Sequence, residues 1–305
     1  MRLGFSACGF SPAAPPAEPA AAAFRSWIAE GSHAGMTYMA NHADKRLDPR
    51  QLVEGTRTII SLALNYYPAH QLRPDQYQFA WYAYGRDYHD VMKSKLRQLE
   101  EYIRSHSAEP MESRIFCDTA PVMERYWAWR GGLGWQGKNT QLILPHAGST
   151  HFLGEIFISL PASEYDSPMP NRCGECRRCL DACPTGALEA PYSLNARRCL
   201  SYLTIEHRDA IPPAEAKRMG NKVYGCDECQ RACPWNRFAQ PCATPEFQPS
   251  AEFMSMTRRQ WEQLSEDDYR RLFKGSAVKR AKFSGLVRNI NAAKENEEGK
   301  KGKEG

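Results

Sequence analysis

Cys173-Gly-Glu-Cys176-Arg-Arg-Cys179-Leu-Asp-Ala-Cys183-Pro184 decides the reading of this chain. The spacing is C-x2-C-x2-C-x3-C-P, the run by which three neighbouring thiolates cap three corners of an iron–sulfur cubane while the fourth points away to a second cluster. A second run follows, Cys226-Asp-Glu-Cys229-Gln-Arg-Ala-Cys233-Pro234. It lacks one upstream thiol, and Cys199 is the available candidate. The cross-over rule gives one cluster to Cys173, Cys176, Cys179 and Cys233, and the other to Cys183, Cys199, Cys226 and Cys229. Residues 200–225 are then an insertion relative to a plain two-cluster segment. Structural zinc is the competing reading. It takes four ligands, usually from paired C-x2-C knuckles. Eight thiols in two interleaved sets, with two C-x3-C-P endings, favour two 4Fe-4S clusters.

A ferredoxin-like segment of this kind needs far fewer than 305 residues, so the chain carries at least one further domain. Apolar residues at 42% support a sizeable core, and charged residues at 25% are ordinary. The net charge of +5 is a weak pointer towards nucleic acid. Clustered thiols in a long chain point to metal rather than disulfides, and to a reducing compartment. No run of apolar residues is long enough to span a membrane. Glycines and Ser6 interrupt any signal-peptide core in residues 1–10, and no twin-Arg signal is seen. A cytoplasmic protein without membrane contact is expected. Cys8, Cys117 and Cys242 fall outside the clusters and read as buried small apolar residues or bystanders.

Outward from the cysteines, the N-terminal side alternates strands and helices. Strands are predicted at Phe5–Phe10, over Thr58-Ile-Ile-Ser-Leu-Ala-Leu-Asn, and at Arg114–Cys117. Gln141–Leu144 and Phe152–Leu160 read as a hairpin. Helices are predicted over Ala20–Glu30, stopped at Gly31, from an Asp87 cap to about His106, and over Val122–Arg130 before a Gly131-Gly132 pair. Pro161–Pro170 is a linker. Beyond Ser250 the chain is helical and basic, with a capping pattern at Ser265-Glu-Asp-Asp. The fold class is α+β: an N-terminal α/β domain (1–165), a ferredoxin-like double-cluster domain (166–241), a basic helical segment (242–292) and a Glu/Lys/Gly tail expected to be disordered (293–305).

The N-terminal domain has no G-x-G-x-x-G after a strand and no Walker loop, so dinucleotide and P-loop chemistry are unsupported. Asp118 is better placed. It ends a strand at a turn before a helix, a position that suits either a proton donor or a helix cap.

Here the chain resembles a known family. Gly85-Arg-Asp87-Tyr-His89, Asp118-Thr-Ala-Pro121 with Glu124-Arg125, Gly132-Leu-Gly134-Trp135 with Gly137-Lys138-Asn139, and Gly154-Glu155 carry the resemblance. So do both cysteine runs, Arg198-Cys199-Leu-Ser201, Asn221-Lys-Val-Tyr-Gly225-Cys-Asp227 and Gly275-Ser-Ala-Val-Lys-Arg280. Together they resemble the epoxyqueuosine reductases, over roughly residues 3 to 290. The resemblance implies a base-off cobalamin between the α/β domain and the clusters, and reduction of epoxyqueuosine to queuosine at the tRNA wobble position. It makes Asp118 the proton donor, and places Arg46, Asp87, His89, Arg125, Leu142, Leu153, Ser201 and Asp227 along the cobalamin or substrate pocket. Relative to the family's usual pattern the given sequence starts almost at the first strand, so that either its start is late or the preceding helix is absent, and it ends before the C-terminal HEAT-like repeats that some members carry.

Opening an epoxide to an alkene takes two electrons and protons, and cobalamin can store both electrons. As a general acid Asp118 must hold its proton near neutral pH. Burial would raise its pKa and Arg125 would lower it, and burial is expected to win. An external one-electron donor such as a flavodoxin or ferredoxin is implied. For the tRNA, Arg270, Arg271, Lys274, Lys279, Arg280, Lys282 and Arg288, interspersed with Trp261, Tyr269 and Phe273, form the expected footprint. The alternatives are a small-molecule reductase of the dehalogenase kind, a plain electron carrier, and a zinc-dependent nucleic-acid module.

Overall fold

In the computed structural model, which describes residues 3–301, four strands form the central sheet: β1 (Ala7–Pro12), β2 (Thr58–Asn65), β3 (Ser113–Phe116) and β4 (His151–Ile158). Their order is β1-β2-β4-β3, and every neighbour is antiparallel. The N-terminal domain is therefore α+β in strand order as well as in composition. An unbroken apolar run marks β2 as a strand buried on both faces, and residues 58–64 are all buried. Because side chains alternate, Ile60, Leu62 and Leu64 pack under α2 (Tyr88–His106) with Val91, Met92 and Leu96. Ile59 and Ala63 turn the other way, towards Trp127 and Ala128 of α3 (Glu124–Arg130). Asp87 caps α2 as expected, its carboxylate accepting from the His89 N–H at 3.0 Å. α1 (Glu18–Ala29) stops before Gly31, whose φ of 65° a side-chain-bearing residue rarely adopts.

The predicted hairpin between residues 141 and 160 does not form. Leu142–Ile143 pairs instead with Trp135–Gln136 in a separate ribbon. β4, with its last five residues buried, lies between β2 and β3 at the sheet centre, where both of its faces are covered. The linker is not loose either. Asp166 exchanges hydrogen bonds with the Phe10 backbone, at 2.8 Å from Phe10 N to Oδ2 and 2.9 Å in return, and so pins residues 161–170 along the β1 edge.

The segments read as separate domains share a core. Lys222–Tyr224, inside the cluster region, pairs with Gln78–Phe79. Around that pair pack Leu72 and Trp81, Leu200 and Leu203 of α4 (Leu200–Ile205), and Phe253, Trp261, Phe273, Leu286 and Ile290 from the C-terminal helices. α5 (Lys282–Lys301) extends through most of the stretch expected to be disordered, 293–305. Once nucleated on the core by Leu286 and Ile290, each added turn costs little. The remainder of that expected tail, 302–305, lies outside the described residues. Among the described residues no helix is long and apolar enough to cross a membrane.

Candidate active site

The cysteine runs fold as two short helical turns, Arg178–Asp181 and Glu228–Arg231, packed against each other. Cys173, Cys176, Cys179 and Cys233 line one small cavity with Lys138, Ile143 and Trp235. That is the first crossed-over set, with Cys233 arriving from the distant run. The other four meet deeper in the fold: burial, and then the proximity of Cys226, Cys199, Asp227 and Cys183, pushes the Cys229 thiol well up. Two convergent sets of four soft thiol ligands suit two cubanes. All eight thiols are free of disulfides.

Asp118 occupies the turn between β3 and α3 with φ at 56°, a left-handed conformation uncommon for a non-glycine residue. Its backbone N–H is held by the Glu124 carboxylate. Its side chain is 58% exposed, so one side of the carboxylate is open to an incoming molecule. On the protein side, the Tyr88 hydroxyl donates to Oδ2. His89 Nε2 lies 3.6 Å from the same oxygen, and His89 Nδ1 is 2.7 Å from Asp87 Oδ1. Asp87, His89 and Asp118 therefore form one line, with the imidazole between two carboxylates.

The charge states follow from this contact set. Packing around Asp118 would raise its pKa, but the hydrogen bonds from His89 and Tyr88, with the positive charges of His89 and Arg125, outweigh it and hold the carboxyl below its usual value. The expectation that burial wins is thus corrected: half of this side chain faces solvent, and cationic and hydroxyl donors face the rest. The proton is held next door. Packing would depress His89, yet Asp118 and Asp87 raise it to about 9. Glu124, lifted by burial and by the adjacent Asp118, reaches about 8. At neutral pH the site is a carboxylate beside an imidazolium and a neutral carboxylic acid.

The remaining predicted pocket residues divide. Arg46 is buried, donates to Val122 O at 3.0 Å, and feels both Glu124 and Asp118. Arg125 is exposed on α3 and donates to Thr140 O at 3.3 Å. Buried Arg46 Nε and Thr140 Oγ1 have no hydrogen-bond partner among the described residues. Leu142 is core, packed with Ala63 and Ala128, and Leu153 is half-buried at its edge. Ser201 sits in the first turn of α4 beside Cys199. Asp227 is committed to structure: Oδ2 accepts the Trp81 N–H at 2.8 Å, and burial pushes its pKa up to about 6.

Three groups escaped the sequence reading of roles. Tyr88 joins the site to the clusters: its ring stacks on Phe152 (4.3 Å, 3°), Phe152 packs on Tyr66 (4.5 Å), and Gln230, next to Cys229, donates to the Tyr66 hydroxyl at 3.1 Å. Tyr38 is 45% exposed, with Arg280 over its ring at 5.8 Å and Asp118 near enough to perturb its hydroxyl. An exposed aromatic in Gly35-Met-Thr-Tyr38 was the available signal. Glu155 is fully buried on β4, neither carboxylate oxygen has a partner among the described residues, and burial, with Glu124 and Asp118 nearby, raises its pKa and favours the protonated form. It was visible only as part of the Gly154-Glu155 pair.

The expected tRNA footprint is largely structural. Trp261, Tyr269 and Phe273 are core residues at 1%, 6% and 2% exposure, so they cannot stack on bases. Arg270 pairs with Glu266, Arg271 with Glu252, and Arg280 with Glu206. Arg288 caps the carbonyls of Leu203, His207 and Asp209. Lys274, Lys279 and Lys282 remain as exposed cations.

Comparison with known proteins agrees with this arrangement. Residues 172–236 match the family model of the 4Fe-4S double cluster binding domain, and residues 46–119 match that of epoxyqueuosine reductase QueG. An epoxyqueuosine reductase of Cellulophaga algicola is 43% identical over 294 residues, covering 96% of this chain and 95% of that protein. A crystal structure of epoxyqueuosine reductase with an epoxyqueuosine-modified tRNA-Tyr stem loop superposes with a TM-score of 0.85 at 29% identity, covering 96% of this chain and 78% of that one. The enzyme from Bacillus subtilis, captured with its catalytic aspartate loop swung out of the active site, gives 0.86 at 28% identity over the same shares.

Proposed function

Since the chain belongs to the epoxyqueuosine reductase family, we propose that it reduces epoxyqueuosine in tRNA to queuosine, using electrons carried through its two 4Fe-4S clusters to a bound cobalamin. One observation carries this reading. The open carboxylate of Asp118 and the thiols of the inner cluster set are joined by a continuous contact path through Tyr88, Phe152, Tyr66 and Gln230.

The reaction consumes two electrons and two protons and releases the epoxide oxygen as water. Cobalamin, when bound, supplies a strong two-electron nucleophile for an epoxide carbon. The residues present suit such a group: around the start of α3 lie the polar atoms Arg46 Nε and Thr140 Oγ1, without partners among the described residues, with exposed Arg125 close by. Arg46, Arg125, Thr140 and Ser201 would hold its amide fringe. The protein's own contribution is the proton. Asp118, a carboxylate at rest, relays to the leaving oxygen the proton it takes from Nε2 of His89, an imidazolium fixed by Asp87, and the second proton is drawn from solvent at the open side of the site. The Bacillus subtilis relative with its aspartate loop swung out supports placing the donor on a mobile turn of this kind. Tyr38, at the mouth of the site, offers a ring on which an unstacked base can lie. Lys274, Lys279 and Lys282 are left to meet phosphates.

Anaerobic reconstitution with iron, sulfide and cobalamin, followed by incubation with tRNA carrying epoxyqueuosine, tests the proposal. Mass analysis of the nucleosides should show loss of one oxygen. Protein that holds zinc and no acid-labile sulfide, or that leaves the nucleoside unchanged under reducing conditions, overturns it.

A further inference from the structure

The two thiol sets are not equivalent in position. Cys229 lies near Tyr66, and its neighbour Gln230 donates to the Tyr66 hydroxyl, so its set adjoins the path that leads to Asp118. Cys173, Cys176, Cys179 and Cys233 form the other set, and beside Cys233 the surface opens into a hollow of about 440 Å³. Its wall carries Arg178, Arg231 and Arg237 together with Trp81 and Gln71. All three arginines are exposed, and none is ion-paired among the described residues. Arg231 is held in place by Trp81, with its guanidinium 4.2 Å from the ring centroid, and by a 3.2 Å hydrogen bond to Gln71. Arg237 lies over Phe238 at 4.5 Å.

We propose that this arginine-walled hollow, formed by Arg178, Arg231 and Arg237 beside Cys233, is the docking surface for an acidic one-electron carrier protein, and that electrons enter here. The proposal rests on the redox reading of the chain. Two requirements meet at one place. An electron donor must approach the outermost cluster closely, and the hollow reaches a ligand of that cluster. A carrier surface rich in carboxylates needs unpaired cations to steer and orient it, and guanidinium forks match carboxylates two bonds at a time. The fixed poses of Arg231 and Arg237 lower the ordering cost of binding. Asp118 is joined to the cluster region through Tyr88, Phe152, Tyr66 and Gln230 in turn, and none of Asp118, Tyr38, Lys274, Lys279 and Lys282 lines the hollow, so donor and substrate can be bound together.

Reduced flavodoxin is the probe, and the test uses the holoenzyme with both clusters and cobalamin. Binding is measured directly by titration and cluster reduction by stopped-flow absorbance, for wild type, Arg178→Gln/Arg237→Gln and Arg231→Gln. Affinity and reduction rate should each fall about tenfold or more in the variants, and the wild-type salt dependence should flatten. Iron content, reduction by dithionite and tRNA affinity should not change. Variants that bind and accept electrons from flavodoxin as wild type does overturn the proposal, as do variants that lose tRNA instead. Because binding is read without turnover, an enzyme that docks flavodoxin here yet leaves epoxyqueuosine untouched would keep the surface and overturn the substrate assignment.

Discussion

Asp118, in its left-handed turn, shows how one residue's chemistry depends on neighbours that its own sequence context does not name. The Thr-Ala-Pro that follows marks the turn, but the charge state of Asp118 is set by His89 and Tyr88, nearly thirty residues upstream. Asp118→Asn keeps shape and hydrogen bonding but cannot donate an acidic proton. Its turnover is expected to fall by about 10²–10⁴-fold, with iron, sulfide and cobalamin content unchanged by metal analysis and absorbance. His89→Gln should weaken the rate less and move the alkaline limb of the pH–rate profile, because the stored proton is released near pH 9 in the wild type. An unshifted limb would remove His89 from the relay. Tyr38→Ala should raise KM for tRNA with little change in kcat, since stacking on an aromatic is worth roughly 1–3 kcal/mol per base. Equal loss in both parameters would indicate a structural role instead.

At the scale of elements, the helices that position the site were legible because their signals are local. The Asp87 cap, the apolar stripe of α2 and the glycines after α1 and α3 each act within a few residues. The strand pairings were not, because the partner of a strand is fixed by which faces other elements cover. β4 shows this: its sequence neighbour Leu142–Ile143 was the obvious hairpin partner, yet burial on both faces drew β4 between β2 and β3. The close approach of α3 to β1 is a second case. A Cβ at Gly9 would lie 1.9 Å from the Gly131 carbonyl oxygen, so Gly9→Ala must push the helix end away. It should cost about 2 kcal/mol or more, in the range of overpacked interiors, and appear as a clear drop in the thermal midpoint. A midpoint within a degree of wild type would mean that the contact yields freely.

For the whole molecule, stability should depend on pH through the buried proton store. Glu124 binds its proton more tightly when folded (about 8 against 4.5), and so does His89 (about 9 against 6.5). Both raise the folded-state pKa, so their contribution is complete at low pH and is lost as pH rises, with both losses overlapping between about 6.5 and 8. The anaerobic melting temperature should fall from pH 6 to pH 9, and Glu124→Gln should flatten that slope. A melting temperature that rises over this interval would contradict the assignment. tRNA binding should weaken with salt in proportion to the few phosphates met by Lys274, Lys279 and Lys282, a shallower response than seven cations would give.

The cysteine spacing alone marked a double-cluster segment, because cubane ligation is a matter of short, fixed intervals along the chain, while Cys233 was brought beside Cys173, Cys176 and Cys179 only by folding. Local caps and apolar periodicity likewise determined most helices. Only the tertiary structure decided which charges were free. Trp261, Phe273 and most of the C-terminal arginines read as an RNA surface in sequence, yet the aromatics fill the shared core and the arginines meet carboxylates or carbonyls brought from elsewhere in the chain. Whether a charge is spent inside the fold or offered to a partner depends on distances between residues far apart in sequence, and those distances exist only once the chain has folded.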